Sequence, residues 1–294
     1  MGGVMRSATY WRLARLAGIL LTLLLTATST ASAGTQPKPK FNPPKQYYLS
    51  LGDSLGFGLQ GPKLSALLDA GTYTPDAFNT GYTDDFAARM RQLRPGQQVV
   101  NLSCPGETTA TMISGGCFYT VELGLALHVT YPGSQLDAAV AFLRAHRGKV
   151  SPITLSIGNV DLLFSDCNFD PDCVASSGLL QQLGKNLQHI LTALRAAAPD
   201  AEIIVLVGYN ALESIVPGSD RAWLAMNALI TRIAAGHRAR AADTFAAING
   251  TGRVCELTFI CTDDDIHPTD AGYAVMADVF FAASGYARLS QQHR

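Results

Sequence analysis

Ser54 and the pair Asp264 and His267 are the residues whose types and spacing best suit chemistry. Ser54 closes the stretch Tyr47-Tyr48-Leu49-Ser50-Leu51-Gly52-Asp53-Ser54. An apolar run that breaks at a glycine reads as a short buried strand ending in a tight turn. The hydroxyl then falls at the C-terminal end of a strand, where open α/β sheets hold their ligands. Near the other end of the chain, Asp264-Asp265-Ile266-His267-Pro268 supplies carboxylates and an imidazole. Asp264 lies three residues before His267, and on one helical turn that spacing puts both on the same side. The expectation is that Asp264 bonds one ring nitrogen and leaves the other to face Ser54, a base with its orienting group behind a serine nucleophile. Donors for a developing oxyanion are expected from the Ser54 N–H, from Gly106 N–H and from the Asn159 side chain. Such donors are worth about 2.7–4 kcal/mol each.

Elements of alternating type must position these groups. Val99–Leu102 and Pro152–Ile157 read as strands, and Gly106 and Asn159 follow them directly. Ala201–Val207 is a further strand. Helices are expected over Asp84–Leu93, Ser134–His146, Ser177–Ala198, Ser219–Arg240 and Asp270–Ala283, with Ser134 and Ser219 as N-caps. Continuous apolar strands alternating with helices predict a parallel sheet covered on both faces. The Gly-rich stretches 56–81 and 106–133 are expected as loops over the sheet edge.

Four blocks in order carry a family resemblance: Gly52-Asp53-Ser54-Leu55, Gly106, Gly158-Asn159-Val160-Asp161 and Asp264-x-x-His267-Pro268. The chain resembles the SGNH (GDSL-type) hydrolases, in particular their secreted bacterial esterase/lipase branch with three disulfides. The resemblance spans nearly the whole chain beyond its leader. It implies a flavodoxin-like α/β fold, a three-layer α/β/α sandwich with a mostly parallel sheet. It also implies ester hydrolysis without a metal or other cofactor, with Ser54 as nucleophile, His267 as base, Asp264 as its partner, and Ser54, Gly106 and an Asn as oxyanion donors. The sequence departs from the pattern at one place. The family motif is Gly-x-Asn-Asp, so strict alignment puts Val160 where the Asn belongs, and Asn159 serves only with the loop shifted by one residue.

Composition agrees with a globular exported protein. The chain has 294 residues, 48% of them hydrophobic and 15% charged, and a formal net charge of -1, which gives nucleic acid nothing to bind. Arg6, Arg12 and Arg15 precede the apolar run Leu16–Leu25, and Ala31-Ser32-Ala33 is a small-residue cleavage site, the layout of a signal peptide over residues 1–33. The run is short for a membrane span. A Pro- and Lys-rich stretch, residues 34–45, reads as an extended solvated linker, and residues 46–294 as the hydrolase domain. The expected location is extracellular. The expected partner is a small-molecule or lipid ester, and no obligate protein partner is evident.

Cys104, Cys117, Cys167, Cys173, Cys255 and Cys261 make an even count, which in an exported chain suggests disulfides. Six cysteines allow 15 pairings. Clustering favours neighbours, each pair beside a proposed site block. Zinc is disfavoured because no Cys-x-x-Cys occurs.

Rival readings remain for several motifs. Gly52–Gly56 matches the Gly-x-Ser-x-Gly elbow of α/β-hydrolases, but that elbow comes after several strands. Gly56–Gly61 matches Gly-x-Gly-x-x-Gly, yet Pro62 follows at once where a helix should already be open. Asp263–Asp265 lack the oxygen spacing of a cation site. The competing functions are a carbohydrate acetylesterase on the same fold and a non-catalytic exported binding protein.

Overall fold

A computed structural model of the chain describes residues 42–290. The expected signal peptide and residues 34–41 of the expected linker lie outside the described residues. Five strands form one parallel sheet: β1 (Tyr47–Gly52), β2 (Gln98–Asn101), β3 (Val150–Ser156), β4 (Ile203–Val207) and β5 (Arg240–Asp243), in the order β2-β1-β3-β4-β5. The chain winds first to one side of β1 and then to the other. The point where winding reverses, between β1 and β3, is the crevice where this class of sheet binds ligands.

Helices α1 (Ser54–Phe57), α2 (Gly61–Asp69) and α3 (Tyr82–Leu93) connect β1 to β2. Between β2 and β3 lie α4 (Thr109–Ser114), α5 (Phe118–Val121) and α6 (Gln135–Ala145). Between β3 and β4 lie α7 (Asn159–Leu163), α8 (Pro171–Ser176) and α9 (Leu179–Ala197). α10 (Asp220–Gly236) leads to β5, and α11 (Thr244–Ile248), α12 (Val254–Leu257), α13 (Ile260–Asp263), α14 (Asp270–Ser284) and α15 (Ala287–Ser290) follow.

The two faces of the sheet are read off β4. Ile203 and Val205 join one buried cluster with Leu187 and Ile190 of α9 and Met226 and Ile230 of α10. Ile204 and Leu206 point the other way, into a cluster with Phe86 of α3 and Tyr273, Met276 and Phe280 of α14. Alternate side chains leave a strand on opposite faces, so a strand buried on both must be apolar throughout. Each such aliphatic or aromatic side chain contributes about 1.5–3 kcal/mol on burial. The three-layer α/β/α expectation therefore describes the fold.

Several local expectations need correction. Residues 42–45 are docked, not solvated: Asn42 N–H donates to Glu202 Oε2 (3.1 Å), and Lys45 N–H donates to Ser151 O (2.8 Å). The helix expected through Arg240 stops at Gly236, and Arg240 opens β5 instead. Ser219 stands at the N-cap position of α10, but its side chain does not cap; it accepts from Asn210 Nδ2 (2.8 Å). The 56–81 stretch contains α2, with Pro62 in its first turn. Proline is tolerated there because the N–H it lacks has no helical partner. Pro62 thus marks the start of a helix.

Among the described residues, no helix is long and apolar enough to cross a membrane. All six cysteines pair with neighbours: Cys104–Cys117, Cys167–Cys173 and Cys255–Cys261.

Candidate active site

β1 delivers Ser54 to the crevice. Gly52, with φ +122°, has the conformation that only glycine adopts freely. A Cβ there would also lie 1.8 Å from Ser156 O of β3, so glycine is required by contact as well. Asp53 follows as the N-cap of α1 and accepts from Leu55 N–H (3.0 Å) and Ser156 Oγ–H (2.5 Å). Burial pushes its carboxyl up to about 6, against the opposing pull of those bonds and of His267. Asp53 therefore supports the turn, and Ser54 becomes the first residue of α1, partly exposed at the sheet edge.

The structure brings Ser54 and His267 together. His267 Nε2 lies 2.9 Å from Ser54 Oγ, and its Nδ1 lies 2.5 Å from a carboxylate. With the ring proton on Nδ1, that nitrogen donates to the carboxylate and Nε2 accepts from the serine hydroxyl. The carboxylate belongs to Asp265, not to Asp264 as the spacing argument expected. The cause is the backbone. Residues 265–269 are not helical; His267 O accepts from Phe259 N–H (3.0 Å) and Pro268 bridges Thr258. In extended chain, residues two apart share a side, so Asp265 and His267 face the same way. Asp264 has φ +52°, ends α13 in the left-handed region and points to solvent.

Asp265 is held by more than the imidazole. Gly61 N–H, at the start of α2, donates to its second oxygen, Oδ2 (2.8 Å), and His267 N–H donates to Oδ1 (3.3 Å). A helix start favours a negative charge. Burial raises the carboxyl's pKa, but the bond and charge of His267 together with these two amides outweigh it and leave the group below its ordinary value. A Cβ on Gly61 would lie 2.7 Å from Asp265 Cγ. The last glycine of the stretch that resembled a nucleotide motif, Gly61, thus seats the carboxylate. Gln60 braces the same junction through Asp270 Oδ1 (2.9 Å), and the hydroxyls of Tyr273 and Tyr209 bond Leu59 O (2.6 Å) and Ile266 O (2.7 Å).

Gly106 and Asn159 both reach the crevice, on two sides of Ser54. Gly106, at φ +81°, lies under Phe118, whose Cβ would be 2.7 Å from an added methyl. It borders an open trench with Ser54 and His267. Asn159 is the first residue of α7, and with Val160 it borders a cavity of about 30 Å³ that also contains Ser54, His267, Tyr209 and Trp223. Asn159 Oδ1 is buried without a hydrogen-bond partner, and Gly208 must be glycine to leave it space. Asp161 turns away and accepts from Thr109 N–H (2.8 Å) and Thr109 Oγ1–H (2.5 Å), tying α7 to α4.

The sequence profile of the GDSL-like lipase/acylhydrolase family matches residues 50–275, most of the chain. The chain belongs to this family. A comparison with curated proteins found no match. Among solved structures, the fold is similar to that of the acetylxylan esterase Axe2 from Geobacillus stearothermophilus, with a TM-score of 0.54, 17% identity, and coverage of 84% of this chain and 97% of that one. It is also similar to a lipase from a goat rumen metagenome, with a TM-score of 0.56, 20% identity, and coverage of 83% and 99%.

One further group at this GDSL-type site gave no signal in the sequence. Gln135, the first residue of α6, accepts from Gly52 N–H (2.6 Å) and donates to Gly52 O (3.0 Å) and to Glu107 Oε2 (2.9 Å). It therefore clamps the turn before Ser54 to the residue after Gly106. Glu107 is 1% exposed, and burial pushes its carboxyl up to about 7, against bonds from Thr111 and Gln135 that lower it. An acid whose pKa is raised in the fold is best tolerated protonated. Its favourable effect is complete below the ordinary carboxylate value and lost as pH rises through about 7. Glu107→Gln keeps a neutral acceptor for Gln135 and removes the titration. Its stability relative to the parent is expected to grow by on the order of 3 kcal/mol between pH 4.5 and 8. Paired denaturant titrations across that range check this; a pH-independent difference would contradict it.

Proposed function

We propose that the chain is a serine hydrolase of carboxylic esters, acting on acyl or lipid esters. The observation that carries this reading is the row Asp265–His267–Ser54, with contacts of 2.5 and 2.9 Å at the reversal point of the sheet. Ser54 Oγ attacks the ester carbonyl while His267 Nε2 takes its proton. Asp265 keeps the imidazole in the tautomer that can accept, and stabilises the imidazolium that forms. The oxyanion lies among the Ser54 N–H, the Gly106 N–H and Asn159. Asn159 lines the cavity beside Ser54, and in this reading its amide nitrogen is the third donor. The tetrahedral intermediate collapses, the alcohol leaves with the proton from His267, and water hydrolyses the acyl-enzyme by the same proton transfers in reverse order. Three disulfides support reading the protein as exported.

A fluorophosphonate probe tests the mechanism. Labelling mapped to Ser54, together with hydrolysis of p-nitrophenyl esters, is the expected result. A folded protein that takes no label would establish the non-catalytic alternative. The carbohydrate acetylesterase reading has one observation in its favour: the cavity of about 30 Å³ beside Ser54 has room for little more than an acetyl group.

A further inference from the structure

All five strands point the same way, and Ser54 follows the C-terminal end of β1. Every connection from a helix back to a strand therefore falls on the opposite edge of the sheet, about 20 Å from the serine. That edge is basic. Arg91 and Arg94 stand where α3 gives way to β2, Arg144, Arg147 and Lys149 where α6 gives way to β3, and Arg238 between α10 and β5; all six are exposed. Lys45, just before β1, and Arg195, in the last turn of α9, add two partly buried cations.

Few acids answer them. The same connections hold Asp200 and Glu202, and Glu202 is buried and already paired with Arg240 (2.6 Å). Among the described residues, none of the six exposed cations belongs to an ion pair. The active-site edge is the reverse: Asp166, Asp170, Asp172, Asp263, Asp264 and Asp270 are exposed there. The formal net charge is only -1, so the charge is segregated and not in excess. A helix end welcomes a cation through its dipole, but three at the end of α6, with no acid between them, repel one another.

Two features indicate what lies against this edge. A cleft of about 360 Å³ runs between α6 and α9, bordered by Arg144 and Arg147 and by Val140, Ala193, Ala196 and Ala197. Guanidinium groups beside an apolar floor suit a phosphate that carries an apolar neighbour, as in a phospholipid headgroup. The described chain also begins here: Asn42 N–H donates to Glu202 Oε2 (3.1 Å), and Asn42 O accepts from the Tyr286 hydroxyl (3.0 Å). The apolar run Leu16–Leu25, expected to enter the membrane during export, is joined to Asn42 by a stretch that contains Lys38 and Lys40. That stretch reaches at most about 60 Å, so a bilayer that takes up the run lies near the basic edge.

We propose that the edge opposite Ser54 docks on a bilayer surface rich in anionic phospholipid, with a headgroup phosphate at Arg144 and Arg147, and that the active site then faces away from the membrane. The docking is independent of the reaction at Ser54 and of how that site is read. Each cation brought to such a surface contributes about fivefold in binding, and salt screens the attraction.

Co-sedimentation of the full chain with vesicles tests this. One set holds equal parts of phosphatidylglycerol and phosphatidylcholine, the other phosphatidylcholine alone. The ratio of the two affinities discounts the apolar leader, whose arginines are common to every variant. Binding to the anionic vesicles is expected to be at least tenfold tighter at about 50 mM salt and to lose at least fivefold at about 500 mM. Arg144→Glu combined with Arg147→Glu is expected to lower the ratio at least tenfold, and Arg94→Glu combined with Lys149→Glu at least fivefold. Lys185→Glu combined with Arg221→Glu changes the net charge equally at exposed positions in the first halves of α9 and α10, and is expected to leave the ratio within twofold. Thermal unfolding of all three double variants is expected to match the parent, because every altered side chain is exposed. Equal binding to both kinds of vesicle, or an equal loss in all three variants, overturns the proposal. Soluble polyphosphate at the same phosphate concentration is expected to weaken vesicle binding less than twofold; full displacement would reveal a site for anionic polymers and overturn the assignment to a bilayer.

Discussion

Ser54→Ala is expected to lower kcat for p-nitrophenyl butyrate by on the order of 10⁶-fold, the scale seen when a serine hydrolase loses its nucleophile. The size follows from the cooperation of the row. Without Oγ, His267 has no proton to take and Asp265 nothing to orient, so the three act as one unit. The fold should not notice. Ser54 Oγ is bonded to His267 at the partly exposed edge, and its backbone O accepts from Gly58 and Leu59 N–H (both 3.0 Å), which alanine preserves. Stability should stay within about 0.5 kcal/mol of the parent. Initial rates at saturating substrate, paired with thermal unfolding, decide it. A variant that unfolds normally and keeps even a hundredth of the activity would remove Ser54 from the mechanism.

Asp265→Asn and Asp264→Asn, tested side by side, should separate two neighbours that differ little as letters. The first is expected to cost on the order of 10⁴-fold in kcat. An amide at 265 can donate to His267 Nδ1, which moves the ring proton to Nε2 and leaves no lone pair for the Ser54 hydroxyl. The second removes an exposed carboxylate outside the row and should change kcat less than about threefold. The comparison is made with p-nitrophenyl butyrate at pH 8. A large loss at 264 with a small one at 265 would show that the segment rearranges when substrate binds, and that the extended backbone is not the working one.

What was legible in the sequence follows a physical division. The central strands of the sheet were visible because burial on both faces demands continuous apolar runs, as in Ile203–Val207. α6 was visible because Ser134 announces it and caps it, accepting from Asp137 N–H (3.1 Å). β5 was not, because Arg-Ala-Ala-Asp at a sheet edge has neither apolar character nor alternation. α2 was hidden for a different reason: it opens on Gly61-Pro62 inside a glycine-rich stretch, and its short apolar stripe, Leu64 and Leu67, is only partly buried. At the site, Ser54, His267 and Gly106 follow strand ends or family blocks that can be read in one dimension. Choosing between Asp264 and Asp265 required the backbone conformation after α13, which three adjacent aspartates do not encode. Gln135, Glu107 and Gly61 act through partners 28 to 204 residues away, and only the folded chain brings them together.

The junction between the two ends of the chain has a consequence for when activity begins. The serine directly follows the first strand, yet its base and carboxylate lie more than 200 residues later, and the bonds that seat them, Gly61 to Asp265, Gln60 to Asp270 and Tyr273 to Leu59, all span that same interval. In the proposed mechanism, synthesis must therefore have passed His267 before Ser54 has its base and Asp265 its seat, and a chain ended before that residue is expected to show no esterase activity.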